Sequence, residues 1–296
     1  MTRLSITIAA ALLASCTAAD AQNPSGAVSP QSTPPAPSTP AHKPQLPIKA
    51  RTHEEYVAYQ EAIAKKQDAE QMAKAATDFA SKFPDSDVRV LLYRASMKSY
   101  RQSGDAQKMM DAALKVLKLS QDDPEALLAV AQVQEEHTSQ MDLDRDERMD
   151  QAVRNAQRAL ATIDTDLVVP VNTRPDSIEP YKRYLRASAL AIVGTIQYRR
   201  EQYPEAESTL RQAVEVDPAN ADGVIVLRLA LALDQQKKYA EALQQANRAV
   251  ELTKEDTDAG HLARNERARL TALLAQNSAP GTSDVVPASN DSSPGQ

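Results

Sequence analysis

Tyr203-Pro204-Glu205-Ala206 returns 36 residues later as Tyr239-Ala240-Glu241-Ala242, and the likeness does not stop at the tetrapeptide. Seven residues beyond each alanine, Ala213-Val214-Glu215-Val216 is answered by Ala249-Val250-Glu251-Leu252. Upstream, Leu190, Val193 and Gly194 correspond to Val226, Leu229 and Ala230. Small residues therefore sit where two helices would cross closely, with larger apolar residues at helical spacing around them. Self-similarity at such a period points to stacked helix–turn–helix units.

The pattern Leu190, Val193, Gly194, Tyr203, Ala206, Leu210, Ala213, Pro218 resembles the tetratricopeptide repeat, a helical hairpin of ~34 residues. The same frame fits earlier segments more loosely. Tyr93, Met97, Tyr100, the turn at Gly104-Asp105, Met109, Ala113 and Val116 make one unit. Leu127, Val130 and Ala131, followed after an insertion by Ala152, Ala156 and Ala159, make another. A degenerate first unit runs from His53 to Pro84, its second helix ending in Phe79, Phe83 and Pro84. The resemblance implies an all-α, right-handed solenoid of about five hairpins. A capping helix near Ala259–Gln276 is expected to turn Leu262, Leu270, Leu273 and Leu274 inward and to leave Arg264, Arg267 and Thr271 in water. Two departures break the period: a nine-residue lengthening within the third unit, and the stretch Thr165 to Glu179 after it. The apolar run Leu167 to Val171 is expected to pack on the array. The first helix of the fifth unit, Val224 to Leu233, is apolar almost all round and needs cover on more than one side. The capping helix is the expected cover, a partner the alternative.

Outside the array, composition changes. Residues 1–21 read as an export signal, with Arg3 before the apolar run Leu4 to Ala14. As a helix that run would span about 16 Å, too short to cross a membrane. Leu13-Ala14-Ser15-Cys16 resembles a bacterial lipobox with cleavage at 15/16, while Ala19-Asp20-Ala21 before Gln22 suits ordinary cleavage at 21/22. Residues 22–50 form a proline-rich linker carrying eight of the 18 prolines, residues 51–276 the array, and residues 277–296 a polar tail expected to lack structure.

Composition also narrows the chemistry. Only seven glycines are present among 296 residues, and neither G-x-G-x-x-G nor G-x-x-x-x-G-K-[ST] can be written. A single Cys excludes a disulfide framework and a Cys-rich zinc module. A formal net charge of −6 argues against a nucleic-acid partner. Asp142, Asp144 and Asp146 open like a calcium loop but lack Gly at the sixth place (Glu147) and Glu at the twelfth (Val153), so they are expected to cap a helix. His42, His53, His137 and His261 have no ligand spacing, and Val57 stands where a second zinc histidine would be needed after His53-Glu54. No catalytic, cofactor or metal residues are therefore assigned, and the chain is not expected to be an enzyme.

The resemblance implies that peptides or helices bind along the concave face made by each unit's first helix. That face would carry Arg94, Lys98 and Arg101, then Gln132 and Glu135, then Thr195 and Tyr198. Arg94 and Lys98, one turn apart, would hold a carboxylate together, although the Lys-x-x-x-Asn pair of the family's carboxylate clamp is missing from every unit. Changing both to Glu is expected to abolish partner capture and leave helicity intact. The reading is a protein- or peptide-binding scaffold on the periplasmic side of a bacterial envelope, touching membrane only through a lipid on Cys16. The alternative is a fixed structural lipoprotein of a secretion or outer-membrane assembly. Mass spectrometry of the mature N-terminus is expected to find acylated Cys16; an unmodified N-terminus at Gln22 would remove the anchor.

Overall fold

The computed structural model describes residues 48–170 and 173–278. The export signal, Cys16, most of the proline-rich segment, Val171 and the tail beyond 278 lie outside them. Eleven α-helices follow in chain order: α1 (His53–Ile63), α2 (Ala69–Lys82), α3 (Arg89–Ser103), α4 (Ala106–Leu119), α5 (Pro124–His137), α6 (Arg145–Thr162), α7 (Ile178–Arg199), α8 (Tyr203–Glu215), α9 (Gly223–Gln235), α10 (Tyr239–Leu252) and α11 (Asp258–Ser278). Consecutive helices pack as antiparallel neighbours, so α1 to α10 make five hairpins and α11 closes the stack. The described residues contain no strand.

Local chemistry sets the helix starts. Thr52, Asp68, Asp105, Asp123 and Asp222 each turn a side-chain oxygen back onto a free backbone N–H of the helix they precede. Three hairpin turns share one design. Gly104, Glu201 and Lys237 adopt positive φ (75°, 61° and 62°), two residues before the next helix begins. In each case that residue's N–H reaches the carbonyl three back, and the following N–H reaches the carbonyl five back from itself. This is the Schellman arrangement, which satisfies otherwise orphaned carbonyls at the helix end. The first and third hairpins lack a left-handed residue and turn through longer connections, 64–68 and 138–144.

Packing follows the small-residue stripes. Ala152, Ala156 and Ala159 on α6, and Ala242, Ala246 and Ala249 on α10, are all fully buried. Without bulk at those positions, the second helix of a hairpin lies close against the first. Ala206, Leu210 and Ala213 are buried on α8, as are Val226, Leu229 and Ala230 on α9, while Leu190 and Tyr239 are partly buried against the same core and Tyr203 is half-buried against Tyr198. Val193 joins the neighbouring cluster between α5, α6 and α7. A Cβ added to Gly194 would stand 2.7 Å from Leu210 Cγ, so that glycine is where α7 and α8 approach most closely. Pro218 opens a short 3₁₀ turn, Pro218–Asn220, between the fourth and fifth hairpins. First helices also touch one another, α1 with α3, α5 with α7 and α7 with α9, forming the inner layer.

The apolar helix α9 is covered within the molecule, by α7, α8, α10 and α11. The inward face of α11 differs from expectation. Leu262 is exposed, and the buried stripe is Gly260, Ala263, Glu266 and Leu270, with Leu273 and Leu274 half-buried. Gly260 explains the shift: a Cβ there would lie 1.9 Å from the Lys254 carbonyl oxygen, so the first turn of α11 rests on backbone and admits no side chain. The linker also ends earlier than expected, because Ile48 and Ala50 pack against the first two hairpins. The acidic run does not cap α6 through its side chains. Asp144 holds the N-cap position without a capping bond, and Asp142 instead accepts from Ser139 N–H and pairs with Arg148.

Ala206→Leu overpacks the α8 crossing and is expected to cost about 1–3 kcal/mol. Lys237→Gly relieves a left-handed residue, where the strain is roughly 1–2 kcal/mol, and is expected to raise the melting temperature. Thermal denaturation of both variants checks the two signs, and equal melting temperatures would contradict the hairpin frame.

Candidate functional site

The inner layer is open at its N-terminal end. Between α1, α3, the entering residues 48–52 and the segment 165–170 lies a cleft of about 1320 Å³. Val88 and Leu91 give it an apolar floor, Tyr56 and Tyr59 an aromatic wall, and Leu167 to Pro170 the far rim. Its charged lining is Lys49, Arg51, Lys66, Arg94 and Lys98, with His53 beside them, and among the described residues no carboxylate lines it. Arg51 pairs with Asp87 at 3.1 Å, both exposed. Lys49 and Lys66 have no ion-pair partner among the described residues.

Beneath the cleft Arg94 is 5% exposed and already committed. It donates Nη1 to the fully buried Asp123 and Nη2 to Glu125, the latter at 2.5 Å, and also reaches the Val168 carbonyl at 3.3 Å. Lys98 Nζ lies 3.0 Å from Glu125 Oε1, and the Tyr181 hydroxyl donates to the same carboxylate. Asp123 accepts from Ala126 N–H at 2.9 Å, so one residue both caps α5 and anchors Arg94. Burial pushes Glu125 upward, yet Arg94, Lys98 and the Tyr181 hydroxyl outweigh it and hold the carboxyl below its ordinary range. Burial pushes Asp123 and Tyr181 up, Glu125 adding to the rise of the tyrosine.

The expected row of ligand-facing residues is therefore corrected in three places. Arg94 is a buried structural cation. Glu135, 6% exposed, accepts from Arg199 on α7, and burial raises its pKa. Thr195 is buried, its hydroxyl donating to the Ala191 carbonyl one turn back. Gln132 is half-buried and donates to Glu136. Tyr198 rests edge-on against Tyr203, a hairpin contact. Arg101 is half-buried, and Lys98 is the one residue of the row that faces the cleft with its charge partly in water. The burial of Arg94 has an identifiable cause. Segment 165–170 and the first turns of α7, a helix of 22 residues against 13 for α9, lie over α3 and α5 and close the inner face there. Of the apolar run, Leu167 packs against the core around α5 to α7 and Val168 is half-buried, whereas Val169 and Pro170 are exposed on the rim of the cleft.

Reading the sequence missed Lys49, Lys66, Tyr56 and Tyr59, which belong to the degenerate first unit and the segment leading into it. It also missed the pairing of Arg94, for which Asp123-Pro124-Glu125 at a helix start was the available signal. A second hollow, about 410 Å³ along α8 and the α9–α10 turn, is charged but satisfied, since Glu207 accepts from Arg211, Gln236 and Lys238. Among the described residues no group of three or more His, Cys, Asp or Glu side chains converges as a metal site requires.

No protein-family model matches the chain, and no curated protein matches it. Among solved structures it is similar to a thermophilic TPR protein of Thermus thermophilus, at 14% identity, over 75% of this chain and 99% of that one, with a TM-score of 0.41. It is similar to yeast Tom70 at 15% identity, over 76% of this chain and 42% of that one, with a TM-score of 0.48. The assembly chaperone of RpL4, Acl4, aligns at 15% identity over 76% and 99% of the two chains, with a TM-score of 0.42. The hairpin architecture itself rests on the packing above.

Arg94→Leu would strand the buried Asp123 without its cation and leave Glu125 with Lys98 alone, and breaking a buried ion pair from one side typically costs about 3–5 kcal/mol. Chemical denaturation is expected to show a loss of that size. The double change of Arg94 and Lys98 to Glu is accordingly expected to unfold the N-terminal half, contrary to the expectation of intact helicity; a native circular-dichroism spectrum would refute the buried cluster.

Proposed function

We propose that this chain is a non-catalytic scaffold that binds an extended protein segment rich in carboxylates and apolar side chains, held in the cleft between α1, α3 and residues 165–170. The observation that carries the reading is the lining: lysines, arginines and tyrosines over an apolar floor with no carboxylate among the described residues, in a chain whose formal net charge is −6. A wall built from packed helices presents these groups without reordering, which lowers the entropic cost of capture. Lys49 and Lys66 supply charge that nothing within the described residues has neutralised, and Tyr56, 52% exposed, offers an aromatic face to a passing side chain.

The place of work in this reading is the periplasmic side of a bacterial envelope, supported by the apolar N-terminal run and the position of Cys16. A tether at Cys16 would join the array through residues 48–52, which form one wall of the cleft.

Fluorescence anisotropy with a labelled acidic decapeptide carrying Leu at every third position tests the cleft. Binding is expected for this probe and not for its Lys-for-Glu counterpart. Lys49→Glu with Lys66→Glu is expected to weaken it by about tenfold or more, mainly through charge complementarity. Equal binding of both probes, or none of either, would overturn the reading.

A further inference from the structure

The most exposed large apolar side chains among the described residues sit side by side on one loop. Met141 is 89% exposed and Leu143 107%, both within 138–144, the insertion between α5 and α6. Elsewhere the chain covers most of its apolar residues; here it lifts two of them into water.

The loop is built to hold them there. Its first residue, Thr138, is buried, and its carbonyl accepts from Arg199 on α7. Arg148 donates to Asp142 at 3.2 Å and to the His137 carbonyl at 3.4 Å. Ser139 N–H donates to Asp142 at 2.8 Å, and Met141 N–H to the Ser139 hydroxyl oxygen at 3.2 Å. A fixed apolar tip forgoes the ordering cost that a floppy loop would incur on binding. Around the tip the exposed charge is acidic, from Asp144, Asp146 and Glu147, the first two lying within 3.8 Å and 3.5 Å of the half-buried Arg148 and Arg145.

Acidic rim and apolar tip are the counterpart of the cleft, with its cationic rim and apolar floor. We infer that the 138–144 tip of one copy of this chain docks in the cleft of a second copy, joining molecules head to tail. The inference rests on the cleft reading above and adds its occupant. A molecule's own tip is badly placed for its own cleft: the tip precedes α6 and segment 165–170 follows it, and those 18 residues separate the two by about 27 Å of helix. Because tip and cleft are different surfaces, the contact is heterologous, and each added copy leaves one tip and one cleft free. Association of this kind would also compete with any other acidic segment for the cleft.

Sedimentation velocity on the full chain tests it, with two double variants at positions whose side chains are exposed: Met141→Ser with Leu143→Ser, and Lys49→Glu with Lys66→Glu. The wild type is expected to gain mass with concentration and to lose it between about 50 and 500 mM salt, as screened charge requires. Each variant alone is expected to stay monomeric, its dimer Kd raised by about tenfold or more. Mixed one to one, the variants still hold one good tip and one good cleft between them, so they are expected to form a dimer that grows no further. A monomeric wild type at every concentration, association that survives either variant, or a mixture that stays monomeric would each overturn the inference. The anisotropy probe separates the two readings: a monomeric chain that captures the acidic decapeptide loses the self-docking and keeps the cleft, whereas one that captures neither loses both.

Discussion

Arg94, locked between Asp123 and Glu125, is the constraint on which the inner layer depends. A guanidinium removed from water must find carboxylates, and carboxylates removed from water must find cations, because the desolvation cost of each ion is several kcal/mol. The same requirement is met again at Glu135 with Arg199, joining α5 to α7, and the buried end of Asp234 is met by the exposed Arg269, joining α9 to α11. Charges on successive first helices are thus turned towards each other. What looks in a helical frame like a row of side chains awaiting a ligand is largely consumed in holding neighbouring hairpins in register. Between α1 and α3, cationic surface stays open to a partner.

The hairpins were legible because their signals are local. A small residue at a crossing, an apolar neighbour at helical spacing and an Asp before a helix each act within a few residues, and the 36-residue recurrence repeats them. Ala206 and Ala242 could be assigned without knowing what lay above them. Arg94 could not. Its fate is decided by Val168 and by residues of α5, distant in the chain, and nothing within its own helix says whether the inner face is open. Leu262 failed for a similar reason: hydrophobicity favoured it as a core residue, but the approach of the Lys254 carbonyl shifted the buried stripe onto Gly260 and Ala263. The left-handed turns at Glu201 and Lys237 were hidden because neither residue type advertises positive φ, as Gly104 does.

The two insertions have opposite fates, and composition explains both. Leu167 to Pro170 is apolar, and with Leu167 seated on the core the run becomes a wall of the cleft. The 138–144 loop mixes Met and Leu with Asp and Ser residues that bond to one another and to Arg148, so its backbone is satisfied by its own polar groups and its apolar side chains are left over. A site and a candidate for what fills it thus arise from departures from the repeat rather than from the repeat itself.

Stacked repeats ordinarily communicate only with the next repeat along, and so they can fray from an end one unit at a time. The bond from Arg94 to Val168 breaks that rule. A segment lying between the third and fourth hairpins is fastened to a helix of the second, and Tyr181 of the fourth reaches Glu125 of the third beside the same arginine. Peeling away the fourth hairpin would therefore uncover charges deep in the second. Such cross-bracing makes the middle of this array a single cooperative block, stiff against stretching, in place of a spring that opens coil by coil.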